Sequence, residues 1–213
     1  MVLYWILLPI VWVLVHIVWR IKVVGKENLI HDRPYVIAAN HISDLDPVYI
    51  LVSLFQFKRL RILAKQELFR NPIFGWFLGC MGAVPIDRGK GDVDTLNNVI
   101  EDCKQQGRGV LIFPEGTRSK DGGLGNLKSG AFIIAGQAQA DMIPCRIIYD
   151  TPDHRMHLFC RIRICYGPAI PAEEMQIEDP RRSVATLRVL KKRLKDALEA
   201  LYEENRFDKG TSD

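Results

Sequence analysis

The sequence predicts one α/β domain with a mixed, largely parallel sheet flanked by helices, preceded by an N-terminal membrane helix. Three observations carry that expectation. Short apolar runs at residues 35–39, 60–64, 83–86, 110–113 and 143–148 are bounded by polar or turn residues and read as buried strands. Helical patterns at 47–57, 67–80, 93–106 and 129–138 alternate with them, the order that builds a sheet with helices packed on it. The length, 213 residues, suits one domain with a proper core rather than two.

The first nineteen residues contain no Asp, Glu, Lys or Arg. About 20 helical residues match the ~30 Å hydrocarbon core of a bilayer. Arg20, Lys22 and Lys26 follow this segment rather than precede it, and no small-residue cleavage site is visible, so an uncleaved anchor is expected. The same charges predict a cell-membrane location with the body on the cytoplasmic face. Trp5, Trp12 and Trp19 recur every seven residues with His16 beside them, and Pro9 interrupts the run. Both a helix lying in one leaflet or packed on the body and a plain tilted span remain open. The expected boundaries are an anchoring helix at 1–20, one domain at 21–207 and a flexible tail at 208–213.

Further along, 156–166 alternates Leu158, Cys160, Ile162 and Ile164 with Phe159, Arg161 and Arg163, the pattern of a half-exposed strand. Residues 183–204 form an amphipathic helix with Leu187, Leu190, Leu194, Leu198 and Leu201 on one side. Its cations, from Arg181 and Arg182 through Arg188, Lys191, Lys192, Arg193 and Lys195, read as a solvated face ahead of a contact with anionic headgroups. Residues 73–81 are apolar throughout, with Gly75 and Gly79 four apart, which fits either a groove for an acyl chain or an ordinary buried helix.

Composition narrows the function. Lys+Arg minus Asp+Glu is 29 − 25 = +4, with 48% apolar and 25% charged residues, which excludes a disordered chain or a polytopic membrane protein. A charge so mild predicts no nucleic-acid partner. The five cysteines, Cys80, Cys103, Cys145, Cys160 and Cys165, contain no CxxC pair and read as free thiols; no metal cluster is expected.

Chemistry-bearing residues gather where strands end, the usual place for a site in such sheets. Asn40-His41-Ile42-Ser43-Asp44-Leu45-Asp46 follows the run 35–39. A carboxylate five positions after a histidine can hold one imidazole nitrogen protonated and leave the other as a base. Asp46 also sits where a helix cap belongs, and both roles stay open at this point. Pro114-Glu115-Gly116-Thr117-Arg118-Ser119 follows the run 110–113, and Lys128 precedes an apolar helix. Lys65, Arg88, Arg118 and Lys128 all fall at element junctions, where cations can converge on a phosphate or carboxylate.

Asn40-His41-x-Ser43-x-x-Asp46, Val84-Pro85-Ile86-Asp87-Arg88, Phe113-Pro114-Glu115-Gly116-Thr117-Arg118-Ser119 and Ile143-Pro144 follow the four ordered blocks of the glycerolipid acyltransferases. Over roughly residues 20 to 170 the chain resembles the 1-acylglycerol-3-phosphate acyltransferase family of the bacterial PlsC type. Lys65-Gln66-Glu67-Leu68-Phe69 is similar to that family's lysine-containing segment. The chain departs from it at Asn126-Leu127, where an aromatic often precedes the lysine. The resemblance implies that His41 is the general base and Asp46 its orienting carboxylate. It further implies that Arg88, Glu115, Gly116 and Thr117 bind the acyl acceptor, with Lys65, Arg118 and Lys128 as further cationic contacts and Pro144 shaping the floor. The implied reaction moves an acyl group from acyl-CoA or acyl-carrier protein to the sn-2 hydroxyl of lysophosphatidic acid, giving phosphatidic acid. It implies no cofactor beyond the donor, and membrane lipids as partners. The alternatives are another lysophospholipid or lyso-aminolipid acceptor, or a catalytically dead lipid-binding protein. Thioester hydrolysis is disfavoured because no serine elbow is present.

Overall fold

The computed structural model describes residues 2–29, 33–54, 60–87, 93–107, 109–176 and 183–207. Arg88, Arg181, Arg182 and the tail 208–213 lie outside the described residues. Seven strands, β1 (Arg20–Val24), β2 (Tyr35–Ala39), β3 (Arg61–Lys65), β4 (Ala83–Ile86), β5 (Val110–Ile112), β6 (Asp141–Tyr149) and β7 (Arg161–Tyr166), form one sheet. Their order is β1-β7-β6-β2-β5-β3-β4. Every neighbouring pair is parallel except β6 with β7. This is the mixed, largely parallel sheet expected from the alternation.

Among the described residues, six α-helices pack on the sheet: α1 (Val2–Val18), α2 (Asp46–Ser53), α3 (Pro72–Cys80), α4 (Val93–Gln106), α5 (Gly130–Ala138) and α6 (Ser183–Asn205). The central strands are buried on both faces because side chains alternate across the sheet. Tyr35, Ile37 and Ala39 pack with Leu111, Ile143, Cys145 and the inner sides of α1, α2 and α3. Val36 and Ala38 pack with Val110, Met142 and the inner sides of α4, α5 and α6. Leu190, Leu194 and Leu198 are the buried stripe of α6, and truncating one such leucine costs ~2–5 kcal/mol.

Four expectations need correcting. The segment 20–24 is a strand on the sheet edge, paired with β7, so the sheet begins at Arg20. The alternation of Arg20, Ile21, Lys22 and Val23 is masked in the sequence by the apolar segment before it. The pattern 67–80 splits into a 3₁₀ turn, Gln66–Phe69, and α3, because the Asn71 side chain accepts from Ile73 N (3.0 Å) and Phe74 N (3.1 Å) and so caps a new helix. Only Arg161–Tyr166 of the 156–166 pattern is strand, and it is nearly all buried. Arg163 is accommodated because its guanidinium donates to Asn205 O (2.8 Å) and lies 4.2 Å from the Phe207 ring centroid.

The fourth correction concerns the tryptophan stripe. Trp5 and Trp12 are exposed, but Trp19 lies beyond the last turn of α1, buried, with its indole N–H donating to His157 O (2.8 Å) and its ring edge-on to Tyr49. Tyr4, Leu8 and Val15 seat α1 on the body. Among the described residues, no helix is long and apolar enough to cross a membrane. Three cations of α6 pair with acids, Lys192 with Asp196, Lys195 with Glu199 and Arg193 with Glu174, and α6 covers the sheet face opposite α1.

Candidate active site

The parallel strands β2 and β5 lie side by side at the centre, so the loops leaving their carboxyl ends meet. Asn40 fixes the first loop: its amide donates to Ile147 O (3.1 Å) and accepts from Ile147 N (2.7 Å), continuing the ladder to β6 through a side chain. His41 then turns out of the sheet, and its ring stacks on Phe113 with centroids 4.2 Å apart. The His41 N–H donates to Glu115 Oε1 (3.0 Å), and its carbonyl accepts from Ser119 N (2.7 Å).

Asp46 does not cap α2. It is fully buried, and its Oδ2 accepts from His41 Nδ1 (3.0 Å), Ile42 N (2.6 Å) and Ser43 N (2.8 Å), all upstream of the helix. The Tyr149 hydroxyl donates to the other oxygen, Oδ1. The carboxylate thus folds the 41–46 turn around itself and holds the imidazole in the tautomer with hydrogen on Nδ1. Nε2 is left as the proton acceptor. Burial, with the Asp46 charge beside it, pushes the Tyr149 phenol well up, so it stays a neutral donor.

Around His41, whose side chain is 18% exposed, lies a cavity of about 380 Å³ that is also lined by Lys65, Thr117 and Arg118. An apolar cavity of about 370 Å³ adjoins it, lined by Leu63, Leu96, Ile100, Ile112, Ile133 and Ile134, and the two share Leu63, Phe113 and Gly116. Lys128 stands at their junction. Gly116 has φ 71, a backbone conformation that favours glycine, and a Cβ built there would come within 2.6 Å of Lys128 Nζ, so a larger residue would displace the end of the lysine chain.

The structure brings His41, Lys65, Gly116, Thr117, Arg118 and Lys128 to these two cavities. Glu115 turns inward instead: Oε1 takes His41 N–H and Oε2 takes Gly125 N–H (2.8 Å), so what it supplies is the position of the histidine. Pro144 is buried in β6 beside Ala38 and lines none of the described cavities. Residues 73–81 match neither an ordinary buried helix, since α3 has no fully buried residue, nor any wall of the described cavities. Gly75 packs on the backbone of Phe69, where a Cβ would meet Cα at 3.1 Å.

Lys65 pairs with Glu67 (3.0 Å) and Arg118 with Asp44, all at least partly in solvent. Arg118 and Asp44 also border a third cavity, of about 570 Å³, with Ser43, Lys120, Arg155 and Met156. The buried cysteines Cys103, Cys145 and Cys165 are not nucleophile candidates. Burial pushes Cys103 up to about 11, Cys165 up to about 12 and Cys145 well above its ordinary value, which keeps the thiols protonated. Sequence reasoning missed Tyr149, Phe113 and the bracing role of Glu115.

An acyltransferase family profile matches residues 20–148. The chloroplastic 1-acyl-sn-glycerol-3-phosphate acyltransferase LPAT1 of Arabidopsis thaliana is 41% identical over 132 residues, 61% of this chain and 36% of its own length. The Saccharomyces cerevisiae 1-acyl-sn-glycerol-3-phosphate acyltransferase is 40% identical over 128 residues, 58% of this chain and 41% of its own length. The chain thus spans about two-fifths or less of these two relatives. The Bacillus subtilis 1-acyl-sn-glycerol-3-phosphate acyltransferase is 31% identical over 191 residues, covering 88% of this chain and 90% of its own. The crystal structure of PlsC, the 1-acyl-sn-glycerophosphate acyltransferase of Thermotoga maritima, shares the fold, with a TM-score of 0.62 at 21% identity over 88% of this chain and 73% of that one.

Proposed function

The chain belongs to the acyltransferase family, and from that premise we propose that it transfers a fatty acyl group from a thioester, acyl-CoA or acyl-carrier protein, to the sn-2 hydroxyl of 1-acylglycerol-3-phosphate. The observation that carries this reading is the Asp46-held His41 at the mouth of a cavity that also holds Lys65 and Arg118. An alcohol is a poor nucleophile at neutral pH. His41 Nε2 takes the hydroxyl proton as the oxygen attacks the thioester carbon, and the Asp46 carboxylate stabilises the imidazolium that forms. General base catalysis of this kind is worth ~10²–10⁴-fold. The thiolate then leaves and takes the proton back from His41, so no acyl-enzyme forms and no cofactor is needed.

Arg118 and Lys65 hold the acceptor phosphate, the arginine through its two-pronged fork. Both are already paired, so the phosphate exchanges with Asp44 and Glu67 rather than entering a vacant site. The apolar cavity next to His41 receives an acyl chain. The exposed side of α1 rests in the cytoplasmic leaflet, because the acceptor resides there and α1 presents apolar residues outward.

The test is an assay of the purified chain with labelled acyl-CoA and acyl-carrier protein donors. Lysophosphatidic acid, lysophosphatidylcholine and a lyso-ornithine lipid are compared as acceptors. The reading expects the phosphate monoester to be favoured by kcat/KM. Preference for either other acceptor would reassign the cationic cavity.

A further inference from the structure

We propose that α3 and the tip of the β6–β7 hairpin are a second and third point of contact with a lipid bilayer, completing the surface that α1 begins. The proposal rests on the reading that the acceptor is a membrane lipid.

The observation is one of orientation. α1, α3 and the hairpin each send one set of side chains into the same core, on the same face of the sheet. From α1 these are Tyr4, Leu8 and Val15; from α3 and the turn before it, Phe69, Phe77 and Leu78; from the hairpin, Met156 and Cys160. A surface element seated in this way ordinarily turns polar residues outward. These three do not. α3 presents Ile73, Phe74 and Trp76 to solvent and has no fully buried residue. The hairpin presents Leu158 and Phe159. α1 presents Trp5, Ile6, Ile10, Trp12, Leu14 and Ile17. On the opposite face of the sheet, exposed apolar residues are aliphatic and scattered, Ile133 on α5 and Val184 and Val189 on α6, and α6 sets them among charged residues, of which Lys192 and Lys195 pair with acids.

Phe159 adds a second, independent sign. Its backbone sits at φ 63, a conformation that non-glycine residues rarely adopt, while its side chain is 73% exposed. Strain of this kind persists only when the surroundings enforce it. Here the neighbours enforce it: Cys160 is drawn into the core, and the His157 carbonyl is held by Trp19 at the end of α1. The result is an aromatic ring projected beside α1.

The position of the cavities selects the occupant. Leu68, in the turn before α3, lines the His41 cavity, and Met156, before the hairpin tip, lines the Arg118 cavity. The exposed cations Lys65, Lys120 and Arg155 line these same cavities, beside the apolar patches. Apolar and aromatic tips backed by a rim of Lys and Arg match a leaflet, with its acyl layer below and anionic headgroups above. A bilayer contacted at three points also fixes the tilt of the cavity mouths, which one helix cannot do.

The test uses vesicles of phosphatidylethanolamine and phosphatidylglycerol without donor or acceptor, so an error in the substrate reading would leave it unaffected. Brominated acyl chains in these vesicles should quench Trp76, read as the difference between the unmodified chain and Trp76→Phe. They should also quench the tryptophan introduced by Phe159→Trp. Removing either patch, by Phe74→Ser with Trp76→Ser or by Leu158→Ser with Phe159→Ser, should weaken vesicle partition about tenfold. Transfer to a short-chain soluble acceptor should stay intact. Unquenched Trp76 and unchanged partition in both double variants would overturn the proposal, leaving α1 as the sole contact. Concentration-dependent dimers that these substitutions abolish, with partition unchanged, would overturn it in favour of a second copy of the chain.

Discussion

The two sides of the cleft differ in how much of their geometry the fold dictates. On one side, Asp46 is fully buried and accepts hydrogen bonds from three groups of its own turn and from Tyr149, while Asn40, Phe113 and Glu115 fix His41 from three other directions. On the other, the Arg118 and Asp44 side chains are 53% and 74% exposed and are held mainly by each other. The difference matches the two tasks proposed for them, proton acceptance by His41 and phosphate binding by Arg118. A base must be aimed within fractions of an ångström before the substrate arrives. A phosphate site must release its product, and an exposed ion pair worth ~0–1 kcal/mol is readily exchanged.

This contrast can be broken most decisively from its rigid side. Asp46→Asn should lower kcat by ~10²–10⁴-fold, because a neutral amide neither stabilises the imidazolium nor enforces its tautomer. If that variant loses only melting temperature and keeps its kcat, Asp46 merely ties the turn. Arg118→Lys should act on binding instead: the acceptor KM rises about tenfold and the donor KM changes little, since a point charge replaces a bidentate fork. Equal changes in both constants would assign Arg118 to architecture or to the donor.

Tyr149→Phe should have a smaller effect, a few-fold in kcat, with a directional signature in the pH profile. The Asp46 carboxylate loses a donor that shares its charge, so it holds a protonated His41 more tightly. The acidic limb of kcat/KM should then move to higher pH. Lys65, Asp44 and Arg118 also border His41, and none of them is changed by this substitution. An unmoved limb would make Tyr149 a packing residue. Asp44→Asn should do least, freeing Arg118 and lowering the acceptor KM by about two- to fivefold, within the range of an exposed pair. A raised KM would show that Asp44 positions the arginine rather than competing for it.

What the sequence disclosed divides along similar lines. The His41–Asp46 turn and the 113–119 loop were legible because each is local: a few consecutive residues set both the turn and the chemistry. The Tyr149 contact spans 103 positions along the chain, and nothing near Tyr149 marks it as aimed at a carboxylate rather than into the core. The family resemblance implies that Glu115 is an acceptor ligand, and nothing in the 113–119 loop itself points to another role. Only the folded chain shows both oxygens taken by backbone donors. β1 is hidden by the apolar segment before it, and its pairing with β7 is again long-range. The apolar outer sides of α1 and α3 are visible as composition, but periodicity alone does not say which side packs.

The claim that His41 is the proton acceptor for acyl transfer is tested most directly with His41→Ala, purified and compared with the unmodified chain by single-turnover transfer from a labelled acyl thioester to lysophosphatidic acid. Thermal melting is measured on the same samples. The account predicts a fall of ~10²–10⁴-fold in the transfer rate with the melting transition essentially unchanged, because the ring borders a cavity and packs chiefly against Phe113. A folded His41→Ala protein that forms phosphatidic acid at close to the unmodified rate would contradict it.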